Sequence, residues 1–226
     1  MIVAAVVVRA PERLKSSSID STAVVSTEES SGDDTTEFRA VPPNRGVVNV
    51  TLRRFDPSRD DPAALRALHE RALRDAGTDP ADVPGTEDLG RVPGTYLDGG
   101  EFLVGYEGEN LVAMGGFRPA ADLPAGGHEG FDDGVEPDRT VELFRIAVAP
   151  GAQGRGLGSR VLAELESRAA AAGYDRVVLT TAARQRAGLE LYRSRAYEEV
   201  GRLQEGDYEL VRFRKRLGGS DGRRYG

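Results

Sequence analysis

The 226-residue chain contains no cysteine and no tryptophan, and only two of its 30 basic residues, Lys15 and Lys215, are lysine. Without cysteine there are no disulfides and no thiolate metal ligands. Only His69 and His128 offer imidazole, which argues against a histidine-based metal site. Long apolar runs are missing as well. The longest near the start, Ile2 to Val8, is far too short to span a bilayer, follows no basic cluster and precedes no small-residue cleavage site. The expectation is a cytoplasmic protein without a membrane segment. A net charge of −7 leaves no general basic surface for nucleic acid. The acidic, lysine-poor surface, with Asp-Asp pairs at 33–34, 60–61 and 132–133, speaks to solubility rather than to fold.

What is present has the length and apolar content of one sizeable domain. Residues 1–46, with their serine, threonine and proline clusters, read either as a flexible leader that buries too little surface to offset chain entropy or, equally well, as the product of an incorrectly assigned start site. The domain is expected over 47–217, and 218–226 as a frayed glycine-rich tail. Val47 to Arg54 reads as a strand. Asp61-Pro62 starts a helix carrying Leu65, Leu68, Ala72 and Leu73 up to Gly77. Residues 78–99 read as a loop with one short helix, and 101–106 with 110–117 as a hairpin. A segment rich in Asp and Glu, 119–138, precedes the apolar strand from Thr140 to Ala149. A helix with Leu157, Val161, Leu162 and Leu165 on its buried face ends near Gly173. Then come a strand over 177–181, a helix from about Arg184 with Ala187, Leu191 and Ser194 on one face, and strands over 197–203 and 208–216. Strand–helix–strand units confined to the second half predict a mixed α/β fold with a partly parallel, partly antiparallel sheet.

The chemistry concentrates where the strand ending at Val148-Ala-Pro150 meets Gln153-Gly-Arg-Gly-Leu-Gly158 and a new helix. Such a loop exposes backbone N–H groups at the positive end of a helix dipole, a ready site for phosphate. A Walker loop is excluded, because the loop has no lysine. A dinucleotide fingerprint counted from Gly154 puts Ser159 where the third glycine belongs. The pattern Q/R-x-x-G-x-G/A is met by Gln153, Gly156 and Gly158.

Together with Ala187-x-x-x-Leu191-Tyr192 ahead of Tyr197, these parts in this order resemble the GCN5-related N-acetyltransferase (GNAT) superfamily from about Val47 to Arg216. The resemblance implies a central mixed, mostly antiparallel sheet of six to seven strands flanked by helices. It implies acetyl-CoA as donor and no metal. Gln153, Gly154, Arg155, Gly156, Leu157, Gly158 and Ser159 would hold the pyrophosphate, and the backbone of Ile146, Ala147 and Val148 would pair with the pantetheine arm. Tyr192 matches a tyrosine that protonates the leaving thiolate. Glu142 matches a glutamate acting as base, against a structural or substrate-orienting role. Arg184 replaces a common asparagine, and Ala196-Tyr197 a common Gly-Phe. Arg145, charged within an apolar strand, is read as a partner for the region of Glu142 or for the acidic segment.

The implied acceptor is a primary amine of a small molecule or peptide, bound by the early helices and by loops across the sheet from the coenzyme. Residues 78–99 and the acidic 119–138 would form its rim, attracting a polyamine, an aminoglycoside or a basic peptide N-terminus. His128 is expected to be exposed and inert. Homodimers are frequent among such proteins. The competing reading is a non-catalytic acyl-CoA-binding or regulatory module.

Overall fold

The structure is a computed structural model, and it describes residues 49–83, 85–123 and 136–218. The expected leader, most of the acidic segment with His128, and nearly all of the tail lie outside the described residues. The first strand, β1, spans Thr51–Arg54, shorter than the β-branched run implied, with Asn49 and Val50 outside it. Helix α1 spans Pro62–Asp75. Its start follows from Asp61, whose carboxylate accepts the Ala63 N–H at 2.8 Å, and from Pro62 in the first turn, where no donor is needed. Its buried stripe is Leu65, Leu68, His69, Ala72 and Leu73. The short helix α2 is Val92–Tyr96.

Strands β2 (Glu101–Glu107) and β3 (Asn110–Pro119) form the expected hairpin, with Gly108 in the left-handed conformation its tight turn demands. All nine residues of β4 (Thr140–Val148) are buried. Then follow α3 (Leu157–Ala171), β5 (Arg176–Ala182), α4 (Arg186–Ser194), β6 (Glu198–Glu205) and β7 (Tyr208–Arg216). The buried side of α4 carries Gly188, Leu189 and Tyr192, while Ser194 is exposed. The face expected from Ala187, Leu191 and Ser194 is therefore rotated, so that the helix seats its tyrosine in the core.

The seven strands form one sheet in the order β1-β2-β3-β4-β5-β7-β6, and every neighbouring pair is antiparallel except β4 with β5. That parallel pairing is brief. It covers Thr140↔Arg176, Val141↔Val177 and Glu142↔Val178 and stops. Beyond Glu142 the strand keeps β3 on one edge but has no strand partner on the other among the described residues.

The parting coincides with a bulge in β4. Phe144 faces Gly116 and Ala147 faces Met114, so Arg145 and Ile146 stand against the single residue Gly115. Arg145 adopts φ +54°, in the left-handed region that side chains disfavour. Such a bulge bends its strand and sharpens the local twist. A Cβ at Gly115 would lie 3.0 Å from Val161 of α3 and 3.1 Å from Ile146, so its absence lets the helix sit down on the bulge. Two apolar clusters cover the sheet. One joins α3 and α4 to residues such as Leu143, Ile146, Val148, Leu179 and Phe213. The other joins α1 and α2 to Phe102, Met114, Phe144 and Ala147 on the opposite face.

Candidate active site

Four segments converge where β4 leaves β5: the loop before α3, the open edge of β4, the end of α4 and the bulge. Gly154 and Gly156 have φ of +70° and +75°, and a Cβ on either would meet nothing within 4 Å. The left-handed turn thus requires glycine for its backbone, and the space outside it is open. Gly156 caps α3 without any side-chain hydrogen bond. The N–H groups of Leu157, Gly158 and Ser159 belong to the first turn, which has no intrahelical acceptors for them. Leu157 and Gly158 are buried and Ser159 half-buried, which fixes the turn against the core.

Side chains brace the loop from both ends. Gln153 donates from Nε2 to Asp75 at the end of α1, at 2.9 Å, and reaches the Val148 carbonyl at 3.4 Å. Arg155 forms an exposed pair with Glu107 at 3.1 Å, of small energetic weight. Arg195, just past α4, donates to the Ser159 carbonyl at 3.1 Å and holds the two helices side by side.

Ile146, Ala147 and Val148 are fully buried, with Ile146 and Val148 in the α3 cluster and Ala147 in the α1 cluster. Their side chains are core; what remains available is backbone on the edge that β5 has left. Tyr192 is fully buried, its ring packed at 5.6 Å from Tyr197 and 5.5 Å from Phe213. Its hydroxyl has no hydrogen-bond partner among the described residues. Burial pushes the pKa of this phenol far up, so it keeps its proton.

Glu142 stands at the apex of the opening and is 1% exposed. Its Oε1 accepts from Arg212 Nη1 at 2.5 Å, and the same nitrogen donates to Thr180 at 2.9 Å. Arg212 and Phe213 are consecutive in a strand and point to opposite faces. Tyr192 therefore lies on the α3–α4 face and Glu142 on the other. The two sequence candidates flank the opening from its two sides and do not meet.

A second buried polar group lies on the Glu142 side, around Arg145, whose partner the sequence did not reveal. Arg145 pairs with neither Glu142 nor the described part of the acidic segment. Its Nε donates to Asp88 at 3.0 Å and its Nη2 to the Gly85 carbonyl at 2.7 Å. Asp88 also accepts from the Tyr96 hydroxyl at 2.6 Å. His69 is fully buried with both ring nitrogens unpartnered, and desolvation, aided by Arg145, drives its pKa down to about 3. A charge inside an apolar strand was the only signal for Arg145; nothing in the sequence pointed to Asp88 as its partner.

Residues 64–197 match the family model of the acetyltransferase (GNAT) family. The chain belongs to this family. Among curated proteins it is 30% identical over 132 residues to the mycothiol acetyltransferase of Sanguibacter keddieii, a match covering 58% of this chain and 38% of that enzyme. The chain thus spans well under half of the curated relative. Among solved structures it resembles a GNAT-family protein from Desulfovibrio desulfuricans, with a TM-score of 0.59, 20% identity, and coverage of 75% of this chain and all of that one. It also resembles yncA from Salmonella typhimurium, solved with its cofactor acetyl-CoA, with a TM-score of 0.54, 22% identity, and coverage of 75% and 94%. At these identities the structures establish the fold alone. Among the described residues, no helix is long and apolar enough to cross a membrane.

Proposed function

We propose that this chain transfers the acetyl group of acetyl-CoA directly to a primary amine of a small molecule or peptide. The observation that carries the reading is the parting of β4 from β5 immediately beside the uncapped start of α3. Phosphate oxygens complement the first-turn N–H groups and the positive helix end. The edge of β4 beyond Glu142, which no described strand covers, offers strand-like donors and acceptors to an extended amide chain such as pantetheine. The orphaned Tyr192 hydroxyl fits a ligand atom that accepts a hydrogen bond. Acetyl-CoA, when bound, supplies the acyl group as a thioester.

Tyr192 then serves as the proton donor to the departing sulfur, because burial keeps its phenol protonated at neutral pH. The bond between Glu142 and Arg212 supports the structural alternative for Glu142, with the pair fixing the apex of the opening, over direct proton abstraction. Replacing Tyr192 by Phe tests the assignment. We expect kcat for CoA release with an accepted amine to fall by about 100-fold or more, with acetyl-CoA affinity retained. Unchanged turnover removes Tyr192 from the reaction. In the same assay Glu142→Gln, which keeps an oxygen for Arg212, should retain most of its turnover; a loss as deep as that of the tyrosine variant restores Glu142 as base.

A further inference from the structure

The start of α3 gathers positive charge with no carboxylate to balance it among the described residues. A helix start is the positive end of the helix dipole, where an Asp or Glu is stabilising. Helix α3 has no acidic residue in its first turn and no side-chain cap, and its first N–H groups have no intrahelical acceptors. Two guanidiniums stand there instead. Arg160, exposed in that turn, donates to the Val50 carbonyl at 3.0 Å. Arg195, half-buried just past α4, donates from Nη2 to the Ser159 carbonyl at 3.1 Å. Among the described residues neither forms an ion pair. Arg155 in the preceding loop differs, because Glu107 already balances its charge.

Arg195 is fixed in place. Its backbone N–H donates to the carbonyls of Leu191 and Tyr192 at 3.1 Å each, closing the last turn of α4. Its Nε is buried with no hydrogen-bond partner among the described residues, so water hydrates only part of this cation. A charge of that kind is screened less than an exposed one. Beside the positive end of a helix its placement is unfavourable on its own. An anion bound at the same turn reverses the sign of that interaction.

We propose that Arg195 is a positioning residue that supplies counter-charge for the phosphates of the coenzyme, which rests on the reading of acetyl-CoA at this turn given above. It acts from behind the turn. The N–H groups of Leu157, Gly158 and Ser159 meet the phosphate oxygens, and the guanidinium, held on the Ser159 carbonyl, favours their negative charge through that turn. The same residue closes the turn of α4 that carries Tyr192, so it ties the phosphate end of the site to the phenol.

Calorimetric titration with acetyl-CoA at about 0.05 M and about 0.5 M salt tests this, since charge interactions are screened weakly at the first and strongly at the second. Arg195→Gln keeps a donor for the Ser159 carbonyl and removes the charge, whereas Arg195→Lys keeps the charge. At low salt Arg195→Gln should bind acetyl-CoA about five-fold more weakly than the wild type, with Arg195→Lys within about two-fold. At high salt the gap for Arg195→Gln should narrow to about two-fold. A brace between two helices without an electrostatic role predicts instead a loss that salt leaves unchanged. Should Arg195→Gln fail to fold, Arg195→Met must show the same salt-dependent loss. Wild-type affinity in the uncharged variant, or a deficit equal at both salts, overturns the role of Arg195 and leaves coenzyme binding standing. A wild type that does not bind acetyl-CoA overturns the reading of the coenzyme site and the role of Arg195 with it.

Discussion

His69 has no visible role in binding CoA, yet it makes the protein sensitive to acid. Its imidazole is fully buried, bonded to nothing among the described residues, and near the Arg145 charge. Its folded pKa of about 3 lies below the ordinary value of 6.5. As pH falls through 6.5 the unfolded chain takes up a proton that the folded chain refuses, so stability drops between pH 6.5 and about 3. The slope is about 1.4 kcal/mol per pH unit. Above pH 6.5 both states are neutral and the effect vanishes. Replacing His69 by Leu, of similar volume, should be close to neutral at pH 7.5, because it deletes two unsatisfied nitrogens. At pH 5 the variant should be more stable than the wild type by about 2 kcal/mol. Urea unfolding at the two pH values measures this, and identical pH profiles for the two proteins would sink it. Residues of this kind were only half legible. Glu142 and Arg145 stood out as charges in an apolar strand, but the partner of Glu142 lies 70 residues later and that of Arg145 lies 57 earlier. Such pairings depend on strand order and loop placement, which no local pattern encodes.

The elements were far more legible than their registers. Proline after a capping aspartate, glycine at φ +94° after α3, and the run of Leu157, Val161, Leu162 and Leu165 set helix limits that local sequence dictates. The bulge was invisible because Leu143-Phe-Arg-Ile-Ala-Val148 is apolar on both faces, so a one-residue slip leaves no break in alternation. Ala196 shows a related cost: it holds φ +61°, in the left-handed region that favours glycine. The two ends of α3 offer a controlled comparison. Gly156 and Gly173 both hold positive φ, with no atom within 4 Å of a added Cβ, so alanine at either incurs a similar strain of about 1 kcal/mol. Only Gly156 borders the first-turn donors. Gly156→Ala should weaken acetyl-CoA binding about ten-fold or more, by turning those N–H groups away from the phosphates. Gly173→Ala should leave the affinity as it is. Calorimetric titration of both variants decides, and equal losses would mean that helix stability, not the anion site, sets the affinity.

At the scale of the whole molecule, the sheet is two ladders, β1 to β4 and β5-β7-β6, joined by three parallel registers and by the apolar layer under α3 and α4. Element order alone predicted the mixed sheet, but not that β7 would lie between β5 and β6, nor that the join would end at Glu142. That join determines where ligand energy is delivered. Beyond Glu142, successive N–H groups of β4 alternate between the β3 edge and the open edge, so part of the central strand exchanges from a position no ladder protects. Acetyl-CoA seated along that edge closes it. At about 100 times Kd, binding adds about 2.7 kcal/mol, enough to slow exchange about 100-fold for amides that open only in the free protein. Protection should therefore rise over residues 143–148 and 153–159, on both sides of the Pro150 turn. β6 is separated from the opening by β7 and should show no specific gain. Hydrogen-exchange mass spectrometry with and without acetyl-CoA reads all three segments in one experiment. If protection instead appears in β6 and is missing from 143–148, the coenzyme lies elsewhere and the parting of β4 from β5 is only a feature of the fold.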